Sequence, residues 1–95
     1  MAEHGYEKDA LLKRLRRIEG QVRGIEKMVE DDRYCIDILT QIAAARTALE
    51  SVGEKVLEDH VNHCVAGALA SGAPAAAQEK TAELLAAVQR FTKSR

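Results

Sequence analysis

Apolar residues recur every three or four positions along most of the chain, the spacing that places side chains on one face of an α-helix. The first stripe predicts a helix over residues 7–30 and consists of Leu11, Leu15, Ile18, Val22, Ile25 and Val29. A second stripe runs from Cys35 to Ala68 and predicts one helix over residues 33–70, about 50 Å long at 1.5 Å per residue. A third helix is predicted over residues 75–91, with Ala82, Leu85 and Val88 packed on the end of the long helix and Leu84 as a further candidate for that face.

The polar and small residues between the stripes predict the helix ends. Asp31 or Asp32 suits the N-cap of the second helix, because a short carboxylate can accept a hydrogen bond from a first-turn N–H. Gly72 followed by Pro74 predicts a helix stop and a new start. Gly20, inside the first helix, predicts a close helix contact, since glycine there costs about 1 kcal/mol relative to alanine.

The chain has 95 residues and three aromatic ones, so the pattern predicts one all-α domain over residues 1–95 with three helices per protomer. The first helix is too short to cover the apolar face of the long central helix. We therefore expect a homo-oligomer in which a second copy covers the remaining stripe.

The formal net charge is −1, which excludes a basic coat over the whole molecule. Cations are nevertheless concentrated on the first helix. We expect these to contact DNA phosphates, together with one arginine of the long helix, and the set is Lys13, Arg14, Arg16, Arg17 and Arg46. No zinc-finger spacing is present in the sequence, so readout of DNA shape is the expected mode of recognition.

His60 and Cys64 lie four residues apart on the long helix, so their side chains share one face and can coordinate one metal ion. A buried histidine beside a buried cysteine is the alternative interpretation. Cys35 is about 38 Å away along the helix, too far for a shared site or a disulfide within one chain. Two long helices paired antiparallel about an axis near Ala48 and Leu49 would bring Cys35 of one protomer to His60 and Cys64 of its partner.

Two thiolates and one imidazole form a soft ligand set that suits Cu(I), whereas structural Zn²⁺ would need a fourth ligand. The sequence thus predicts one Cu(I) per protomer at the subunit interface. His63 is a further candidate ligand, and a solvent-exposed or supporting role is the alternative for it.

Three blocks of the sequence resemble the CsoR/RcnR family of metal-responsive repressors. They are residues 15–25 (LRRIEGQVRGI), 32–42 (DRYCIDILTQI) and 60–64 (HVNHC), and the similarity covers nearly the whole chain. The resemblance implies an antiparallel dimer, a dimer-of-dimers tetramer, and operator binding in the apo form that ends when the inducer binds. It further implies that the regulated genes confer copper resistance.

Within that family, Cys35, His60 and Cys64 match the copper-sensing branch. The nickel and cobalt branch has histidine where this chain has Glu3 and Cys64, the persulfide-sensing branch lacks the histidine at 60, and the formaldehyde-sensing branch has proline at position 2. The copper branch also implies two supporting residues around the site's histidine. Tyr34 and Glu83 match them, with Glu79 as the alternative to Glu83.

The sequence contains no membrane span and no secretory signal, so we expect a cytoplasmic protein without membrane or small-molecule partners. No nucleophile–base grouping or phosphate-binding loop indicates an enzyme. Two alternatives to copper sensing stay open: a persulfide or redox sensor that uses Cys35 and Cys64, and a structural helical oligomer.

Overall fold

The computed structural model describes residues 8–93, and these form helices joined by two short connections, without a strand among them. The helices are α1 (Lys8–Glu30), α2 (Cys35–Asp59), a π-helical segment (His60–Val65), α3 (Ala66–Ala70) and α4 (Pro74–Lys93). The all-α prediction is confirmed. The predicted helix over 33–70 corresponds to α2, the π-helical segment and α3, which follow one another without a turn.

The chain divides into two compact units, and each is described by itself. The first holds α1 and α2 as far as Val56, and the second begins at Leu57. In the first unit Leu11 and Ile18 of α1 pack on Val52 of α2, with Leu15 and Ala48 at the edge of this cluster. The spacing of these residues along each helix explains the contact, since they return to one face after each turn.

Much of the apolar stripe in the first unit stays exposed in a single chain. Val22 and Val29 of α1 are 45% and 58% exposed, and Leu49 of α2 is 50% exposed. The exposed residues also include Ile36, Leu39, Ile42 and Val56. Contiguous apolar surface of this kind marks an interaction site more often than free surface.

The end of α1 differs from the sequence prediction. The N–H of Arg33 donates to the Met28 carbonyl at 2.9 Å, the N–H of Asp32 donates to Val29 at 3.2 Å, and Asp32 has a φ of 54°. This is the hydrogen-bond pattern that ends a helix with a left-handed residue. The prediction that Asp31 or Asp32 caps α2 was wrong, because Asp32 ends α1 and α2 begins at Cys35. The Tyr34 carbonyl, directly before α2, accepts hydrogen bonds from the N–H groups of Asp37 and Ile38.

The junction before α4 follows the prediction. Gly72 has a φ of 74°, its N–H donates to the Leu69 carbonyl at 3.3 Å, and Pro74 is the first residue of α4. Glycine tolerates this left-handed backbone and proline needs no hydrogen bond at a helix start. The predicted stop and start are confirmed.

Two packing predictions were wrong. Leu85, expected on the inner face of α4, is 60% exposed, and it lines an open groove with Ala82 and Thr81. Val88 and Leu84, which were also predicted on that face, are partly buried as expected. In addition, a Cβ on Gly20 would meet no atom within 4 Å, so α1 makes no close contact there within the described residues. Across residues 8–93, no helix is long and apolar enough to cross a membrane.

Candidate metal centre and nucleic-acid surface

The predicted metal-binding pair of His60 and Cys64, which we call the clip, lies on the π-helical segment. This segment spans His60–Val65 and therefore contains His60, His63 and Cys64. A π-helix has i→i+5 hydrogen bonds and more residues per turn than an α-helix, so the residue four positions after His60 still lies about one turn away. Short π-helical stretches are frequent at functional sites. His60 and Cys64 are thus both positioned by an irregular turn between two regular helices.

A carboxylate of α4 lies beside His60. Nε2 of His60 is 3.8 Å from Oε1 of Glu83, and the His60 side chain is 24% exposed. The same oxygen is 3.5 Å from Nζ of Lys80, one turn earlier on α4. Glu83 therefore faces one ring nitrogen of His60 and leaves Nδ1 as the nitrogen that can bind a metal ion.

The supporting residues expected from the resemblance differ in their placement. Glu83 lies near His60, whereas Glu79 forms no ion pair with it in the part of the chain that the structure describes. Tyr34 is 68% exposed. Its backbone carbonyl accepts hydrogen bonds from the first turn of α2.

The two cysteines occupy different surroundings. Cys35 is exposed and is the first residue of α2, whereas Cys64 is half-buried, and neither is in a disulfide. Within residues 8–93 of one chain, no three His, Cys, Asp or Glu side chains come together in a way that could hold a metal ion. Within the described residues of one protomer, a metal ion held by His60 and Cys64 would therefore lack a third protein ligand.

The predicted DNA-binding cations are all exposed, and three of them line two different grooves of the first unit. Arg14 and Arg17 line a groove of about 270 Å³ between α1 and α2, together with Gln21 and Ser51. Arg16 lines a separate apolar groove on the other side of α1, with Glu19, Arg23 and Leu49 among its neighbours. Arg46 lines neither groove, and its side chain is exposed on α2.

Several residues of these sites were not predicted from the sequence. The proximity of Lys80 to Glu83 could have been found from their spacing of three residues. Gln21 could have been found from its spacing of four residues after Arg17. Asp59 is buried directly before the π-helical segment, and no pattern in the sequence indicated this.

The comparisons with known proteins agree with one another. A family model described as metal-sensitive transcriptional repressor matches residues 7–90. The chain is 54% identical to the copper-sensing transcriptional repressor RicR of Mycobacterium tuberculosis, over 98% of both chains. It is 53% identical to the copper-sensing transcriptional repressor CsoR of Bacillus subtilis, over 93% of this chain and 84% of that protein.

Solved structures give the same result. The Cu(I)-bound copper-sensing repressor CsoR of Geobacillus thermodenitrificans superposes with a TM-score of 0.86 and 48% identity, over 97% of this chain and 93% of that one. The nickel-responsive transcriptional regulator InrS superposes with a TM-score of 0.78 and 38% identity, over 96% of this chain and 97% of that one. The resemblance found in the three sequence blocks is confirmed, and so is the expectation that the chain is not an enzyme, because it belongs to the family of metal-sensitive transcriptional repressors.

Proposed function

We propose that this protein is a Cu(I)-responsive transcriptional repressor that binds operator DNA in its apo form and releases it when Cu(I) binds. Derepression would then allow expression of copper-resistance genes. The observation that carries the proposal is the His60–Cys64 pair on the π-helical segment, an incomplete clip that needs one more soft ligand. The copper-sensing relatives at 53–54% identity support the choice of metal.

The donor atoms fit Cu(I) better than the alternatives. Cys64 supplies a thiolate and His60 an imidazole, and the third donor, Cys35, has an exposed thiol at the start of α2. Cu(I) is a soft ion that prefers thiolate ligands, and nitrogen donors suit it as well. Fold similarity alone does not choose the metal, because the nickel-responsive regulator shares the fold. The choice therefore depends on these three side chains.

The third ligand comes, in this proposal, from a second copy of the chain. Cys35 of one protomer and His60 with Cys64 of its partner would form each site, with one Cu(I) per protomer. An antiparallel pairing of two long helices near Ala48 and Leu49 would create two identical sites by symmetry. It would also cover the exposed apolar residues of α1 and α2, and two such dimers would form the tetramer implied by the family resemblance.

Around the clip, the protein's own residues fix the imidazole. A metal-bound histidine usually donates its other ring N–H to a carboxylate or carbonyl, which selects the tautomer and orients the ring. Glu83 faces Nε2 of His60 and is placed to accept that proton, so Nδ1 would bind Cu(I). Tyr34, adjacent to Cys35, would support the same site from the partner.

The DNA-binding form would use the exposed cations Lys13, Arg14, Arg16, Arg17 and Arg46. Contacts from these side chains to phosphates set affinity and make it salt-dependent. Release requires that the DNA-competent arrangement of subunits binds Cu(I) less tightly than the competing arrangement. Bringing Cys35 to the clip of the partner is the event that would shift this population.

The test is an anaerobic Cu(I) titration of the reduced protein against a competing chelator. We expect one tight site per protomer, and substitution of Cys35→Ala, His60→Ala or Cys64→Ala should each weaken it by a factor on the order of 100 or more. His63→Ala is the matched control within the same π-helical segment and should bind as the unaltered protein does. Indifference to His60→Ala would contradict copper sensing and favour the thiol-based persulfide or redox sensor.

A further inference from the structure

We propose that Lys80 of α4 is a positioning residue of the metal site, because its ammonium group holds the Glu83 carboxylate against Nε2 of His60. The inference rests on the proposed function as a Cu(I)-responsive repressor and deepens it. Lys80 acts through Glu83 and contributes no ligand atom of its own.

Lys80 lies on the face of α4 that packs toward the rest of its unit. Residues 76, 80, 84 and 88 follow one another at spacings of four and therefore share one face of the helix. Ala76, Leu84 and Val88 are partly buried. Lys80 is partly buried as well, whereas Glu79, directly before it, is exposed. Lysine is mostly exposed in proteins and is almost never buried without a partner, so a lysine on this face indicates a partner for its ammonium group.

The partner of Lys80 is the oxygen that faces the imidazole. Nζ of Lys80 donates to Oε1 of Glu83 at 3.5 Å, and the same Oε1 is 3.8 Å from Nε2 of His60. A carboxylate oxygen has two lone pairs, so both contacts can be made at once. All three residues belong to the unit that begins at Leu57, in which α4 packs on the π-helical segment. Lys80 is therefore placed to fix the oxygen that orients His60.

Glu83 benefits from such a contact because its own side chain is loosely held. It is 50% exposed, compared with 38% for the side chain of Lys80. An exposed glutamate samples several rotamers, and fixing one of them costs conformational entropy. The stem of Lys80 is already restricted by its place on the partly buried face, so this pair loses less entropy than two freely moving side chains would. The ammonium group thus keeps the carboxylate in the rotamer that faces His60.

Stabilisation of α4 is the alternative role for this ion pair. Pairs at i and i+3 can stabilise a helix, but the order with the acid before the base is the more favourable one, since it complements the helix dipole. Here Lys80 precedes Glu83, which is the less favourable order. A role in orienting the imidazole therefore explains the pair better than support of the helix does.

The experiment removes the ammonium group and keeps an apolar stem of similar length. We expect Lys80→Met to weaken Cu(I) binding by about two- to fivefold, because a partly exposed ion pair is worth little more. Lys80→Arg keeps the charge and the reach, so it should bind Cu(I) as the unaltered protein does. Competition with a chelator under anaerobic conditions measures the affinity, and circular dichroism verifies that each variant is folded.

Two comparisons distinguish positioning from general charge. Lys93→Met is the matched control, since Lys93 is an exposed lysine near the end of the same helix and its loss changes the net charge equally. It should leave Cu(I) affinity unchanged. In a Glu83→Ala background, Lys80→Met should have no further effect, because the side chain that Lys80 positions is already absent.

A second readout needs no copper. Nitrogen NMR of the histidine-labelled, copper-free protein reports which ring nitrogen carries the proton, and the His60 signals are identified by their absence in His60→Ala. At about pH 8, where imidazole is neutral in model peptides, a carboxylate beside Nε2 favours the proton on that nitrogen. We expect a large difference between the Nδ1 and Nε2 shifts in the unaltered protein, in Lys80→Arg and in Lys93→Met. The difference should shrink in Lys80→Met and in Glu83→Ala.

The outcomes separate the inference from the function on which it rests. If the unaltered protein fails to compete for Cu(I) while Lys80→Met still changes the His60 signals, the proposed function is wrong and the positioning of His60 by Lys80 is supported. Unchanged His60 signals in Lys80→Met would overturn the positioning role. An equal loss of Cu(I) affinity in Lys93→Met, or a loss in Lys80→Met that persists without Glu83, would also overturn it.

Discussion

The unit formed by α1 and α2 and the unit that begins at Leu57 carry different chemistry on different kinds of helix. The first has regular α-helices with exposed cations and a small apolar cluster around Ile18 and Val52. The second has a π-helical turn with an imidazole and a thiol, and a carboxylate of α4 beside them. The cations proposed to bind DNA therefore lie in the first unit, and His60, Cys64 and Glu83 lie in the second. If each proposed activity resides in its own unit, substitutions should impair one activity and spare the other.

Among substitutions outside the three proposed Cu(I) ligands, the largest effect is expected from the carboxylate beside His60. Glu83→Gln keeps the size of the side chain but weakens the acceptor that faces Nε2 of His60. Loss of such a partner typically costs 10- to 100-fold in metal affinity, so we expect Cu(I) binding to weaken within that range. DNA affinity of the apo protein should stay unchanged, because the cations lie on α1 and α2.

Glu79→Gln is the matched control for that substitution, since Glu79 is an exposed carboxylate one turn earlier on the same helix. Equal effects of the two substitutions on Cu(I) affinity would mean that the overall charge of α4, and not the position of Glu83 beside His60, determines the affinity. A large loss of DNA affinity in the apo form of the Glu83→Gln variant would contradict the claim that substitutions affect metal binding and DNA binding separately.

A smaller effect is expected at the two left-handed residues, one in each unit. Gly72→Ala places a Cβ on a backbone with φ of 74°, which should lower the free energy of unfolding by about 1–2 kcal/mol. Asp32 already adopts a φ of 54°. Asp32→Gly relieves backbone strain but increases the conformational entropy of the unfolded chain, so the free energy of unfolding should change by less than about 0.5 kcal/mol. Thermal unfolding at fixed protein concentration measures both.

Gly67→Ala is the control for the glycine substitution. Gly67 lies in α3 with no atom within 4 Å of its missing Cβ, and alanine has the higher helix propensity. We therefore expect Gly67→Ala to leave stability unchanged or raise it. A loss comparable to that of Gly72→Ala would show that the helix face, and not the backbone angle, determines the cost.

Most of the fold could be predicted because helix bounds follow from apolar spacing and from glycine and proline. The π-helical turn could not, since α- and π-helical segments share nearly the same spacing of apolar residues over six positions. The end of α1 was misassigned because aspartate suits both an N-cap and a left-handed position. Leu85 was wrongly assigned to the inner face of α4 because alanines surround Leu84 and Leu85, so the apolar stripe has no clear edge.

The parts of the candidate metal site that depend on residues close in sequence could be predicted, and the parts that depend on helix packing could not. The spacing of His60 and Cys64 indicated the clip, and the family resemblance indicated Glu83. The nitrogen of His60 that Glu83 faces depends on how α4 packs against the π-helical segment, which no spacing encodes. Likewise, the division of the cations between two grooves depends on which residues of α2 lie opposite α1.

Subunit complementation tests the central claim, a Cu(I) site shared between protomers, most directly. Cys35→Ala and Cys64→Ala protomers are purified separately, unfolded and refolded together, and then titrated with Cu(I) against a chelator. A mixed antiparallel dimer would regain one intact site and lose the other completely. We therefore expect tight binding to return at about a quarter of the unaltered capacity when subunits pair at random. A mixture that binds no better than the separate variants would contradict the shared site.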